Sequence, residues 1–146
     1  LQSEHEAALG VAVLHCNAQT SSKDVLQKLR QFCSITTGTN GRIYRPKEGR
    51  RLVLYMKDVN LPKPDKYDTS EIIMFLQQAV MHKGFYDDDL EFVQLEHIQI
   101  VASVAPATTL GRHRLATRLT ANVRVCSISY PTQDDLVEIY TQMVNA

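Results

Sequence analysis

A chain of 146 residues with 44% hydrophobic and 22% charged residues is sized and composed for one globular domain with a sizeable core. Its 16 basic and 16 acidic residues cancel, which leaves no overall electrostatic footprint for nucleic acid or an anionic membrane. No apolar run approaches the roughly 18 residues of a membrane helix and no basic-apolar leader is visible, so the default expectation is a cytosolic setting.

Residues 1–9 are polar and Ala-rich and read as the end of a helix that begins before this sequence. Val11 to Cys16 is a short apolar run after Gly10, hence a strand. Ser21 or Ser22 is placed to cap a helix whose apolar positions Val25, Leu26, Leu29, Phe32 and Cys33 share one face. The period then changes. Thr39-Asn40-Gly41-Arg42 is a hairpin-turn signal with Ile35 to Thr37 and Arg42 to Arg45 as arms, expected to project from the sheet.

Leu52 to Met56 is a continuous apolar run, the pattern of a strand covered on both faces in a parallel sheet. Pro62 and Pro64 keep the next segment extended until Asp68 or Thr69 caps a helix with the stripe Ile72, Ile73, Leu76, Ala79 and Val80, ended by Gly84. The Asp87-Asp88-Asp89 turn with Leu90, Phe92 and Leu95 suggests a second short hairpin or an extended lead-in. It lacks the glycine and terminal bidentate acid of a calcium loop. Ile98 to Val104 is another apolar strand, closed by Ala105-Pro106. Leu115 and Leu119 at i, i+4 predict a short helix that presents Arg118. Val123 to Ile128 reads as a fourth strand, and Thr132 caps a final helix with the stripe Leu136, Val137, Tyr140 and Met143. Four strands alternating with helices predict an α/β fold, a mostly parallel sheet flanked by helices, with one or two hairpin insertions.

Candidate chemistry concentrates in one place. Lys57, Asp58 and Asn60 fall at the carboxyl end of the Leu52 to Met56 strand, where open α/β sheets bind ligands. An acid there is placed to hold a metal-nucleotide or to polarise water, and equally to bond turn amides. Cys16, Cys33 and Cys126 are odd in number and far apart, which argues against disulfides and CxxC metal sites; they read as buried thiols. The histidines form no pair at ligand spacing, and His15 beside Cys16 points to the opposite strand face. The basic run Arg42, Arg45, Lys47, Arg50, Arg51 is interleaved only with Tyr44 and reads as a solvated loop, though a nucleic-acid-binding role for it stands as an alternative. No G-x-x-x-x-G-K-[ST] and no G-x-G-x-x-G occurs in the sequence.

The runs LVLYMKDVNLP, FLQQAVMHKGFYD, IQIVASVAP and GRHRLATRL, in this order and spacing, resemble the large subdomain of an AAA+ module of dynein heavy chains over nearly the whole chain. The resemblance is closest to the third module of the ring, and the Lys57-Asp58 pair, where most dyneins carry Asp-Glu, is similar to the class that drives retrograde transport in cilia and flagella. It implies residues 1–131 as a partial large subdomain without its P-loop and 132–146 as the start of the helical lid. It implies Leu52 to Asp58 as the Walker B strand, with Asp58 at the position of the water-polarising glutamate and Lys57 at that of the Mg²⁺-associated aspartate. Ala105 falls where the sensor 1 asparagine belongs, and Arg118 where the arginine finger to a neighbouring module belongs.

These departures imply a catalytically degenerate module, with no ATP hydrolysis by this chain, and with ATP or ADP and Mg²⁺ belonging to the parent motor. The implied partners are neighbouring modules of the same heavy chain, other dynein subunits and microtubules, with no nucleic acid and no membrane. A module whose P-loop lies upstream is the alternative. In the modules it resembles, the strand leading into the P-loop lies between the third and last strands. Ile98 to Val104 and Val123 to Ile128 are therefore expected to pair directly, or to leave a gap that another chain or a larger assembly fills.

Overall fold

The computed structural model describes residues 9–38, 41–47 and 51–145. The helical start expected before Leu9, the Thr39-Asn40 part of the turn, and Arg50 lie outside the described residues. The chain runs β1 (Gly10–His15), α1 (Ser22–Phe32), β2 (Cys33–Gly38), β3 (Gly41–Pro46), β4 (Leu52–Lys57), α2 (Glu71–His82), β5 (Gly84–Tyr86), β6 (Phe92–Leu95), β7 (Ile98–Ala102), α3 (Thr117–Thr120) and α4 (Gln133–Asn145). It is an α/β fold, as the strand-helix alternation predicts.

The first sheet has the order β1-β4-β7 and is parallel throughout. Leu52 stands beside Gly10 on one side and Ile98 on the other, so all three strands end at the same edge. Ala12, Leu52, Leu54 and Met56 point to one face, where they are buried with Val25 and Leu29 of α1 and Ile72 and Leu76 of α2. Removing this apolar surface from water is the main stabilising term, at about 25 cal/mol per Å². The opposite face, expected to be equally covered, is not: Val53 and Tyr55 are half-buried, and Val11, Val13 and Val101 are exposed. Both helices pack on the same side.

Local chemistry sets the helix ends. Asp24 accepts a hydrogen bond from the Ser21 backbone N–H at 2.8 Å, closing the first turn of α1. The Ser22 hydroxyl and Glu71 join the starts of α1 and α2. The cap of α2 is Ser70 rather than Asp68 or Thr69, because Asp65 takes the Tyr67 and Thr69 N–H groups into its own turn. Lys83, at φ 51°, supplies the left-handed residue that ends α2. Gly84, expected in that role, instead opens β5, where any Cβ would collide with the Val93 carbonyl and the Phe92 ring.

The two hairpins do not project separately. They merge into a second sheet of order β2-β3-β6-β5, in which β3 and β6 run parallel with Arg42 beside Val93 and Tyr44 beside Leu95. Arg42 crosses the join, 2.8 Å from Asp87 and 3.0 Å from Glu91, and Arg45 pairs with Glu96 at 2.6 Å. The basic run is thus partly engaged by acids of its own chain. Phe85 fastens this sheet to α2: it is 1% exposed, with ring centroids 5.7 Å from Tyr44 and 5.4 Å from Phe75.

The fourth strand expected over Val123 to Ile128 does not form. Among the described residues β7 pairs only with β4, leaving its second edge open, and the 123–128 segment is exposed, Val125 by 69% and Ile128 by 94%. An apolar run becomes a strand only with a neighbour to receive its N–H and C=O groups. The segment does not pair with Ile98–Ala102, and because it forms no strand there is no gap between two strands either: the second edge of β7 is open among the described residues. Thr132 caps α4 as expected, through Asp135 at 2.9 Å, but the stripe Leu136, Val137, Tyr140 and Met143 is exposed.

Candidate functional site

Three loops leave the carboxyl edge of the first sheet, and two clasps, one buried and one half-buried, tie the loop after β4 to the segment after β7. Asp58 follows β4 directly, in the left-handed region at φ 60°. Few non-glycine residues adopt that conformation, and Asp is among those that tolerate it. Its N–H donates to the Ser103 hydroxyl at 3.1 Å, and the Ser103 carbonyl accepts from Val59 N–H at 3.1 Å, so the end of β4 is stitched to the end of β7.

Asn60 forms the first clasp. It is 4% exposed, and its amide donates to the carbonyls of Ala105, at 2.7 Å, and His113, at 3.1 Å; its oxygen accepts from Ala105 N–H at 3.4 Å. The Asn60 carbonyl returns a bond by accepting from His113 N–H at 3.0 Å. Asn60 and Ala105 are therefore brought together, with the Asn60 side chain bonded to its own chain. Buried polar groups require such partners.

Arg112 forms the second clasp, a residue to which the sequence analysis assigns no role. One terminal nitrogen lies 3.3 Å from the Asp58 carboxylate, with the two side chains 17% and 27% exposed. Its Nε is buried and finds no hydrogen-bond partner among the described residues. Gly111, at φ 74°, makes the turn that brings Arg112 back over the sheet edge. Lys57, beside Asp58 and level with His15 of β1, is exposed.

Arg118 stands apart from these groups. Leu119 is buried and Leu115 packs on the core, which anchors α3 and leaves Arg118 exposed. The Arg118 carbonyl accepts from the Asn122 side chain at 2.6 Å, closing the helix end.

The residues present do not fit a magnesium ion. Mg²⁺ takes oxygen ligands in near-octahedral order. The carboxylate at the end of β4 already faces the Arg112 guanidinium, and Lys57 is its sequence neighbour. Among the described residues no three His, Cys, Asp or Glu side chains are grouped to hold a metal. The crevice between Val59-Asn60 and His113-Arg114 measures about 30 Å³, roughly the volume of one water. No described helix is long and apolar enough to cross a membrane.

The thiols divide in a way the sequence did not announce. Cys16 and Cys33 are buried as expected, whereas Cys126 is exposed. Burial, reinforced at Cys16 by Asp58 and Asp24, pushes the Cys16 thiol from 9.0 up to about 11. Burial, opposed by Lys47, takes Cys33 from 9.0 to about 11. A raised thiol pKa favours the neutral folded form. The associated stability is complete below pH 9 and lost as pH rises toward 11. We expect urea midpoints to fall between pH 9 and 11 more steeply than in a Cys16→Ala, Cys33→Ala variant, and a thiol reagent at pH 8 to label Cys126 first. Equal slopes, or rapid labelling of Cys16, would contradict this.

The α/β sheet with its functional groups past the strand ends has the form of a P-loop NTPase subdomain. Residues 1–131 match the family model described as the P-loop containing dynein motor region, and the chain belongs to that family. It is 55% identical over 130 residues, 89% of this chain, to cytoplasmic dynein 2 heavy chain 1 of Homo sapiens, and 50% identical over 135 residues, 91% of this chain, to that of Chlamydomonas reinhardtii. Identity to the cytoplasmic dynein heavy chain of Drosophila melanogaster is 36% over 132 residues, 89% of this chain. The chain spans about 3% of the length of each of these relatives.

Proposed function

We propose that this chain is a catalytically degenerate AAA+ segment of a dynein motor ring, closest to the third module of a cytoplasmic dynein 2 heavy chain. Its role is structural and regulatory, in microtubule-based retrograde transport in cilia and flagella, within the cytoplasm and cytoskeleton. The observation that carries the reading is the Asp58–Arg112 ion pair: the carboxylate at the end of β4 is engaged by a guanidinium of its own chain, with the exposed Lys57 as its sequence neighbour. Asp58 is also one methylene shorter than glutamate, which shortens its reach to an attacking water. Arg118, exposed on an anchored α3, is offered to the nucleotide of the adjacent module. ATP or ADP and Mg²⁺ belong to other sites of the motor, and the partners are neighbouring modules, dynein subunits and microtubules. Arg42 and Arg45 are paired with acids, which disfavours a nucleic-acid role.

A second reading, a module that binds nucleotide through a P-loop elsewhere in the heavy chain, is favoured by the description of the family itself. One assay separates the two. Phosphate release from Mg²⁺-ATP by this chain should stay at background, and a fluorescent ATP analogue should show no low-micromolar affinity. In the full heavy chain, Asp58→Asn should leave total turnover within about twofold, since a group already neutralised by Arg112 supplies little transition-state stabilisation. Turnover abolished by Asp58→Asn would select the second reading.

A further inference from the structure

Four features coincide at one end of the second sheet, where β2 and β5 end and β3 and β6 begin. The first is a hollow of about 530 Å³ lined by Thr37, Gly41, Arg42, Glu91 and Phe92. Uncovered apolar side chains stand beside it: Leu90 is 81% exposed and Tyr86 57%, and the Tyr86 ring lies edge-on to Phe92 with centroids 5.3 Å apart. The third feature is charge. Asp87, Asp88, Asp89 and Glu91 face Arg42 and, at longer range, Arg30, which leaves negative charge in excess. The fourth is the backbone. Leu90 adopts φ 60°, in the left-handed region that glycine and asparagine favour and leucine rarely enters. Its turn is fixed by other residues: the Asp87 carboxylate accepts from the N–H groups of Asp89 and Glu91, each at 3.0 Å, and Arg42 braces Asp87 from the sheet. Unfavourable backbone conformations persist where surrounding contacts impose them. Here those contacts hold out to water a side chain that adds nothing to this chain's core.

We propose that this end of the second sheet is a docking surface for a cationic, apolar-tipped segment of the same heavy chain lying outside residues 1–146. Leu90 and Tyr86 give the apolar contact, the hollow receives a side chain of the partner, and Asp88, Asp89 and Glu91 pair with its lysines or arginines. Charge complementarity selects the sign of the partner. Length selects its source: the chain spans about 3% of the relatives it matches, so the rest of a heavy chain is present in cis at high effective concentration. Neither Asp58 nor Arg118 takes part, so this surface and the proposed function stand or fall independently.

The test uses the full heavy chain with the photoreactive residue p-benzoylphenylalanine in place of Leu90, and cross-linked peptides are mapped by mass spectrometry. One dominant product is expected, on a heavy-chain segment outside this chain that carries an apolar side chain flanked by lysine or arginine. The same probe in place of Tyr67, which is 74% exposed elsewhere on the chain, should not give it. Asp88 is exposed and makes no hydrogen bond or ion pair among the described residues. Asp88→Lys therefore spares the turn, and it should cut the cross-link yield about fivefold or more by setting like charges against each other. Leu90→Asn suits the left-handed backbone and removes the apolar tip. In that variant amide exchange should quicken in the partner segment and stay unchanged at Val93 and Leu95. The surface is overturned if no product exceeds the Tyr67 control, if the product lies on the microtubule, another subunit or a second heavy chain, or if Asp88→Lys leaves the yield unchanged. Faster exchange at Val93 and Leu95 in Leu90→Asn would overturn it as well, by showing that the leucine serves its own sheet.

Discussion

Phe85→Ala is expected to destabilise the fold by about 3 to 5 kcal/mol, a large share of the ~5 to 15 kcal/mol available to a domain of this kind. The ring is 1% exposed and stands edge-on to Tyr44 of β3 and tilted against Phe75 of α2. It therefore belongs to two layers at once. Truncation removes the transfer free energy of the ring, leaves a cavity that rigid strands on one side and a helix on the other cannot collapse to fill, and removes two aromatic contacts worth about 0.5 to 1.5 kcal/mol each. The second sheet should loosen from α2 before the parallel sheet unfolds, and the melting temperature should drop by about 10 °C. Urea unfolding followed by far-ultraviolet dichroism measures the total, and amide exchange at Val93 and Leu95 locates it. A loss below about 1 kcal/mol would mean that the two sheets are held together by something other than Phe85.

Arg118→Ala in the full heavy chain is the second large effect. The guanidinium is permanently charged and planar, with a fork of donors suited to phosphate oxygens. A finger supplied across an interface is worth ~10³ to 10⁵ in rate, so turnover at the adjacent module should fall on the order of 10³-fold. The isolated fold should be unaffected, because Arg118 is exposed and the anchoring of α3 rests on Leu115 and Leu119. Single-turnover phosphate release together with gliding velocity is the appropriate measurement. Wild-type values in both would remove the assigned role.

Legibility in the sequence followed the range of the interactions involved. The 3.6-residue and continuous apolar patterns placed α1, α2, α4, β1, β4 and β7, since these depend on residues a few positions apart. The merger of two hairpins into one sheet was not legible, because the parallel pairing of Arg42 to Tyr44 with Val93 to Leu95 joins segments about fifty residues apart and leaves no local mark. Val123 to Ile128 shows the converse: an apolar, β-branched run looks the same whether or not a sheet edge receives it. Asp58 was found at the strand end because that position is defined by β4 alone. Its partner Arg112 was not, since an arginine after a glycine in a polar stretch carries no signal for what lies fifty-four positions upstream. The exposed Cys126 has the same explanation: it was expected in a strand that does not form.

The alignment of the parallel strands has an evolutionary consequence. Gly10, Leu52 and Ile98 stand side by side, and Asp58 and Ala105 lie past the last paired residues Lys57 and Ala102. Substitution at those two positions leaves every rung of the sheet in place, whereas Asp58 still carries a left-handed backbone and the contact to Arg112. Inheritance therefore sees two separate constraints here: the strands answer to their pairing, and Asp58 answers to the contact it makes across the sheet edge.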